Sequence, residues 1–481
     1  MQLSCLNGTF FKNLKKTFSV DTLLSPSDFN FEFNQFSGHD RTIKSVRLRP
    51  VRWLELFLHF IFMSKTFNRY QTFVIATLAL LQFTIILDFM VLSPLSAFLL
   101  PELHITTGQF GMVVSAYAWS AGLSGLLAAG FADKYDRKKM LIIFYIGFLI
   151  GTLLCGLAPS YELLMGARIV TGIFGGVIGS IVFAIVTDLF PMEVRGRVMG
   201  FLQMAFAGAQ VLGLPIGLYL NNIYGWHSPF LMIVSLGVPL GVLIALYLKP
   251  VDAHLTNKME KSPLAHLAHT FVKPDYLKTF AATTLLATGG FMLMPFGSAF
   301  AINNLQITAK DLPTLYMITG IFSMVFAPVI GKLADSWGKY TVFSICSLLV
   351  MIVVVVYCNL GVTPLWVVII FSVVMFINVS GRIISSSAMF SGIPTQLDRG
   401  AFMAINSAVQ MVSGGIASMI AGMIVHQTES GYIEHYPILG YVVAGATMIT
   451  IIMMYFINQM VMKRMATTPA PAPVPAEASG H

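Results

Sequence analysis

Three formally charged residues stand inside long apolar runs of this 481-residue chain: Asp88, Arg168 and Arg382, with Asp188 at the end of the run that holds Arg168. A charge near the centre of a bilayer costs roughly 2.5–3.5 kcal/mol on insertion scales, so each is a candidate for function. Asp88 lies in Leu87-Asp88-Phe89-Met90-Val91-Leu92-Ser93-Pro94, well inside its run. A carboxylic acid in apolar surroundings is neutral or charged according to its access to water, which is what a proton carrier needs. The other reading is a permanent ion pair that only holds helices together. Arg168 is followed at four-residue steps by Gly172 and Gly176, which share its helix face and let another helix approach closely. Arg168 is also near enough to the start of its run to snorkel to water. Arg382, in Ser380-Gly381-Arg382, is too deep to be a loop charge, and no acid in the later runs lies at similar depth. Its planar fork suits a carboxylate, a phosphate or a pair of sugar hydroxyls, which favours a neutral or anionic substrate over a lipophilic cation. Backbone carbonyls at a helix break, or Asp88 itself, are the other partners open to it.

The elements that position these residues follow from composition. The chain is 56% apolar and only 10% charged, far from the norm for soluble domains. A helix needs about 20 mainly apolar residues to cross about 30 Å of hydrocarbon. Twelve such runs are expected: 72–99, 108–132, 140–157, 162–188, 197–220 and 229–248, then 279–302, 312–333, 341–359, 365–391, 401–426 and 437–460. The fold class is therefore an all-α membrane protein. From Met63 onward there are 21 lysines and arginines; with the amino terminus inside, Lys310 alone falls in an outer loop and Arg168 and Arg382 fall within spans. The other eighteen are cytoplasmic, so the net charge of +8 reflects membrane topology rather than nucleic-acid binding. Both termini are expected in the cytoplasm of a cell whose inner membrane the chain spans. The cysteines Cys5, Cys155, Cys346 and Cys358 have no metal spacing and are expected to be inert fillers.

The segment Gly130-Phe-Ala-Asp-Lys-Tyr-Asp-Arg-Lys-Lys139 returns as Gly331-Lys-Leu-Ala-Asp-Ser-Trp-Gly-Lys339, with Asp133 on Asp335 and Arg137 on Lys339 at an offset of 202 residues. The chain thus reads as a duplicated membrane unit. The form G-x-x-x-D-x-x-G-R/K resembles the signature between the second and third helices of the major facilitator superfamily and its echo between the eighth and ninth. The second copy fits well, whereas the first carries Ala129 and Asp136 at the two glycine positions. Arg-x-x-x-Gly in the fourth span resembles a further signature of proton-coupled members. Gly213-Leu-Pro215-Ile-Gly217 in the fifth span looks like the glycine-proline motif of the superfamily's antiporters, although plain small-residue packing explains it as well.

The resemblance implies two pseudo-symmetric six-helix halves, with Asp88, Arg168 and Arg382 in a central cavity and Arg168 reaching toward Asp88. It implies a cytoplasmic gate in which, when the inside is closed, Asp133 meets the amino terminus of helix 11 and Asp335 meets helix 5 more weakly, capping unpaired N–H groups. It also implies a partner for Arg137 in Asp188. The second half lacks that acid at Ser391-Gly392, so the relay ending at Lys339 is expected to be one-sided. Simple enforcement of topology is the other reading of these loop charges.

The expected organisation is a cytoplasmic extension (1–69), an N-half (70–248), a cytoplasmic linker (249–278), a C-half (279–462) and a disordered tail (463–481). Residues 1–62 contain no apolar run long enough to span, and translation is expected to begin at Met63. The linker histidines His254, His266 and His269 read as solvated rather than metal-binding. No phosphate-binding G-x-x-x-x-G-K-S/T occurs and no His, Asp or Glu cluster lies within the spans, so neither a nucleotide nor another cofactor nor an enzyme activity is expected. The expectation is a monomeric secondary transporter that moves a small molecule, with protons as partner, most like the drug or sugar efflux type. A proton symporter for uptake and a receptor-like member without transport are the alternatives.

Overall fold

The computed structural model describes residues 67–128, 134–252, 263–395 and 397–467. Among the described residues twelve helices are long and apolar enough to cross a membrane: α1 Arg69–Glu102, α2 Thr107–Ala128, α3 Arg137–Gly156, α4 Tyr161–Leu189, α5 Val194–Tyr224, α6 Ser228–Tyr247, α7 Pro274–Asn303, α8 Leu312–Trp337, α9 Lys339–Cys358, α10 Leu365–Phe390, α11 Arg399–Ile424 and α12 Tyr436–Arg464. They match the expected runs to within a few residues. Residues 1–66, Asp133, His254 and 468–481 lie outside the described residues, and with them the expectations on translation start, the Asp133 gate contact and most of the tail. One part of the expected tail is helical, because the last helix continues to Thr467. The linker also contains a helix, Pro263–Phe271.

Local chemistry sets several helix ends. Asn68 and Gln71 form a reciprocal capping box at the start of α1, each side chain accepting the other's backbone N–H. Asp136 caps α3 by accepting from Lys138 N at 2.8 Å, and the same oxygen accepts from Val251 N at 3.1 Å. Here the two copies of the charged loop differ for a backbone reason. Gly338 has φ 94°, which favours glycine, whereas Asp136 has φ −58°, which any residue adopts.

The duplication appears as contacts between equivalent residues. α1 and α7 are not continuous: each contains a 3₁₀ turn, Ser93–Leu95 and Met294–Phe296, at Pro94 and Pro295, where the ring removes an N–H and crowds the preceding turn. Beside these breaks Ser96 Oγ lies 2.8 Å from Ser298 Oγ, its counterpart 202 positions on. Phe89 and Phe291, also 202 apart, have ring centroids 5.8 Å apart. The pseudo-two-fold axis therefore runs between α1 and α7.

One apolar core joins both halves at the Glu102/Asn303 end, including Leu95, Phe110, Phe296 and Phe300. Toward the Lys139/Lys339 end the cores separate. Residues such as Leu141, Phe148 and Ile185 form one within the first half, while Phe280, Phe343 and Phe402 belong to another that is almost wholly of the second half. The α2–α11 seam is long, from Thr107 Oγ1 donating to Val425 O at 2.7 Å, through Ser115 Oγ donating to Gly415 O at 2.6 Å, to Trp119 Nε1 donating to Val412 O at 3.2 Å. Backbones touch there because α2 and α11 carry glycines. A Cβ on Gly111 would lie 2.7 Å from Ser418 O. The α5–α8 seam is shorter: a Cβ on Gly320 would lie 3.1 Å from Gln210 O, and Asn222 Nδ2 donates to Ala309 O at 2.9 Å, but Gly196, Gly200 and Gly331 face open space.

Candidate functional site

Asp88 and Arg168 meet. Arg168 Nη1 donates to Asp88 Oδ2 at 2.9 Å and to the Asp88 carbonyl at 3.3 Å. Thr152 Oγ1, from α3, donates to the other carboxylate oxygen at 3.1 Å. The guanidinium carbon lies 4.3 Å from the ring centroid of Tyr117 on α2, a cation–π contact. Four helices thus supply one group each. Asp88 is 0% and Arg168 1% exposed, so snorkelling of Arg168 to water does not occur here. Asp88 and Arg168 were expected in a central cavity, and in this structure neither is exposed. They form a closed polar pocket inside the first half, covered on the α7 side by Phe89, whose ring lies between Tyr117 at 5.5 Å and Phe291 at 5.8 Å.

The glycines of α4 let this pocket close. A Cβ on Gly172 would lie 2.0 Å from Ser120 Oγ and 2.6 Å from Tyr117 O, and one on Gly176 would lie 2.2 Å from Ala121 O. A side chain at either position would push α2 away, and Tyr117 with it. In α5 a Cβ on Gly213 would meet the Leu87 side chain at 2.7 Å, whereas Gly217 has only ordinary contacts near 3.5 Å. Pro215 is buried and follows a π-helical turn, Ala209–Gly213, that the sequence pattern did not reveal. Such turns inside α-helices often mark functional positions.

Arg382 is 3% exposed, and its Nε and Nη2 are buried without a hydrogen-bond partner. Its guanidinium carbon lies 5.9 Å from the Phe343 ring centroid. It does not reach Asp88, whose carboxylate is held by Arg168 and Thr152.

At the Lys139/Lys339 end, Arg137 Nε donates to Asp188 Oδ2 at 3.3 Å, joining α3 to the end of α4. Asp335 is exposed and makes no hydrogen bond or ion pair among the described residues, nor does the Lys339 side chain; Asp335 does not meet α5, because α5 and α8 stand apart there. In the second half Arg399 Nη2 donates to Ser391 O at 3.3 Å, much as Arg195 Nη2 donates to Thr187 O at 2.6 Å in the first.

A cluster missed in the sequence surrounds Asp398, just before α11. Its Oδ2 accepts from Lys273 Nζ at 2.6 Å, Tyr276 Oη at 2.9 Å and Thr395 Oγ1 at 2.9 Å, while His266 Nε2 is 3.7 Å from Oδ1. Burial alone would raise this carboxyl's pKa, but the bonds from Lys273, Tyr276 and Thr395 and the Lys273 charge hold it at about 2. Nearby, Arg464 Nη2 donates to Asp275 Oδ2 at 2.8 Å. The linker helix and both ends of the second half are tied together here. No sequence signal was available for Lys273, Tyr276 and His266, which lie more than 100 residues away; Thr395 alone is local. Among the described residues no group of His, Cys, Asp and Glu could hold a metal.

A family profile described as Major Facilitator Superfamily matches residues 78–282 and 279–479. Among curated proteins, an uncharacterized MFS-type transporter of Bacillus subtilis (strain 168), YceJ, is 25% identical over 260 residues, which is 54% of this chain and 66% of that one, just under two thirds of its length. Among solved structures, a bacterial homolog of the human lysosomal transporter Spinster, inward-facing and occupied, aligns with a TM-score of 0.62 at 15% identity over 84% of this chain and 100% of that chain. The nucleoside transporter NupG, as a variant, aligns with a TM-score of 0.64 at 14% identity over 80% of this chain and 99% of that one.

Proposed function

The chain belongs to the Major Facilitator Superfamily, and on that premise we propose that it is a secondary active transporter that exports a small organic molecule in exchange for protons. The observation that carries this reading is the buried Asp88–Arg168 pair with Thr152 as a third partner. Two protonation states are available to such a site. With Asp88 charged, the Arg168 salt bridge and the Thr152 bond hold α1, α3 and α4 together. With Asp88 neutral, the ion pair is lost and the helices are freer to shift. A proton and a substrate that favour different states are then coupled through their differential affinity for them.

In this reading residues 70–248 and 279–462 rock about the α1–α7 axis, with 249–278 as the connection between them. The excess of lysine and arginine at the Lys139/Lys339 end makes that end cytoplasmic. The closed state at the Glu102/Asn303 end is then inward-facing, and the parted α5–α8 ends form the way in from the cytoplasm. Asp335 is expected to reach α5 once this side closes, and the closed state is the one in which Asp133 is proposed to meet α11. Arg137–Asp188 stays within the first half and steadies the loop that carries Asp133. The many methionines and phenylalanines (28 and 38) suit adaptable apolar recognition.

The test is proton flux in proteoliposomes holding a pH-sensitive dye. Substrate found by a growth screen of deletion and overexpression strains is expected to cause proton movement opposite to its own. Movement in the same direction indicates uptake by symport, and no movement removes proton coupling from the account.

A further inference from the structure

Resting on the transport reading above, we propose that Arg382 and the glycine pair Gly289–Gly290 form the site for the carboxylate of an otherwise apolar, singly charged substrate. Arg168 and Arg382 stand on the corresponding helices α4 and α10, and both turn toward the broken helix of their own half. In the first half α1 answers with Asp88. At the offset of 202, the residues Leu87 and Asp88 correspond to Gly289 and Gly290, so α7 offers Arg382 only bare backbone.

The space this leaves is measurable. A Cβ on Gly289 would lie 3.4 Å from Arg382 Nη1 and 3.9 Å from Nη2. Gly290 is exposed, and a Cβ there would meet nothing within 4 Å. On the α7 side the guanidinium is therefore bounded by backbone, with no side chain in the place that Asp88 takes in the first half. A buried cation with two unpaired N–H groups is costly, and a ligand that brings a bidentate acceptor removes that cost.

The charge of the ligand follows from the surroundings. Among the described residues Arg382 makes no ion pair; the neighbours of Gly289 and Arg382 include Phe343, Val443 and the Cys346 thiol. In so apolar a setting a neutral complex is favoured, so a monocarboxylate fits and a phosphate dianion leaves excess negative charge.

The experiment is thermal unfolding of the full chain in lipid nanodiscs at one pH and matched ionic strength, with sodium benzoate, sodium phosphate or benzylammonium chloride. Benzoate is expected to raise the wild-type Tm by several degrees and to leave Arg382→Gln unmoved. Gly289→Asp, which places a carboxylate against Arg382 covalently, is expected to raise Tm without ligand and to abolish the benzoate response. An equal benzoate response in Arg382→Gln, or a wild type that responds to none of the probes or only to phosphate or benzylammonium, overturns the site. With no gradient imposed, the result is independent of Asp88: an intact benzoate shift without proton flux refutes coupling alone, and the reverse refutes this site alone.

Discussion

Ser96 and Ser298, equivalent residues of the two halves, hydrogen-bond to each other at 2.8 Å beside the breaks in α1 and α7. This contact holds the Glu102/Asn303 end closed, together with the core that both halves share. In the proposed rocking of the two halves it opens once per cycle.

A reversible cross-link there is expected to stop transport. In a chain otherwise free of cysteine, Ser96→Cys with Ser298→Cys places two thiols within disulfide reach, given Oγ atoms 2.8 Å apart. Oxidation is expected to abolish substrate movement in vesicles and a reductant to restore it, with neither single variant responding. Unchanged transport by the oxidised double variant, with the cross-link verified by mass, removes this contact from the cycle.

The ion pair is expected to behave as a unit in stability. Asp88→Leu leaves Arg168 buried without its carboxylate and is expected to cost about 3–5 kcal/mol, whereas Asp88→Leu with Arg168→Met is expected to recover much of that loss. Unfolding in detergent gives the cycle directly. Additive single-variant effects contradict a coupled pair.

Close packing of α4 on α2 makes a sharp contrast between two glycines. Gly176→Val drives a side chain into Ala121 O and is expected to cost about 1–3 kcal/mol or to prevent folding, while Gly179, with nothing within 4 Å of a Cβ, accepts alanine with little change. Yields and Tm of the two purified variants are the measurement. Similar behaviour of both is not compatible with the described helix contact.

Acid stability is expected to depend on Asp398. Its folded pKa of about 2 lies below the ordinary value near 3.9, so its contribution is fully present above about pH 5 and is lost as pH falls from about 4 toward 2. That difference corresponds to about 2–3 kcal/mol. Wild type is expected to unfold at a higher Tm than Asp398→Asn near neutral pH, with the two converging as the medium is acidified. A constant gap across that range contradicts the assignment.

The positions of the twelve spans were legible because hydrocarbon thickness demands a long apolar run, and no packing detail can override that requirement. The duplication was legible from one charged segment. The helix breaks were not: Pro94 and Pro295 hint at them, yet other prolines, such as Pro239 and Pro328, sit inside unbroken helices. For the site, the charged residues were visible as exceptions in apolar sequence. Their burial was not, since whether a charge faces a cavity or a closed pocket depends on neighbours such as Phe89 and Tyr117 that any membrane helix carries. Thr152 and the partners of Asp398 escaped notice for a similar reason, being common polar residues brought close only by the fold.

The most direct measurement of the central claim is gradient-driven accumulation in proteoliposomes by wild type and Asp88→Asn, with substrate exchange at equal pH as the control. An amide imitates the protonated acid and cannot release a proton, so Asp88→Asn is expected to keep exchange and to lose accumulation driven by the pH gradient. Full gradient-driven accumulation by Asp88→Asn would contradict the assignment of Asp88 as the proton carrier.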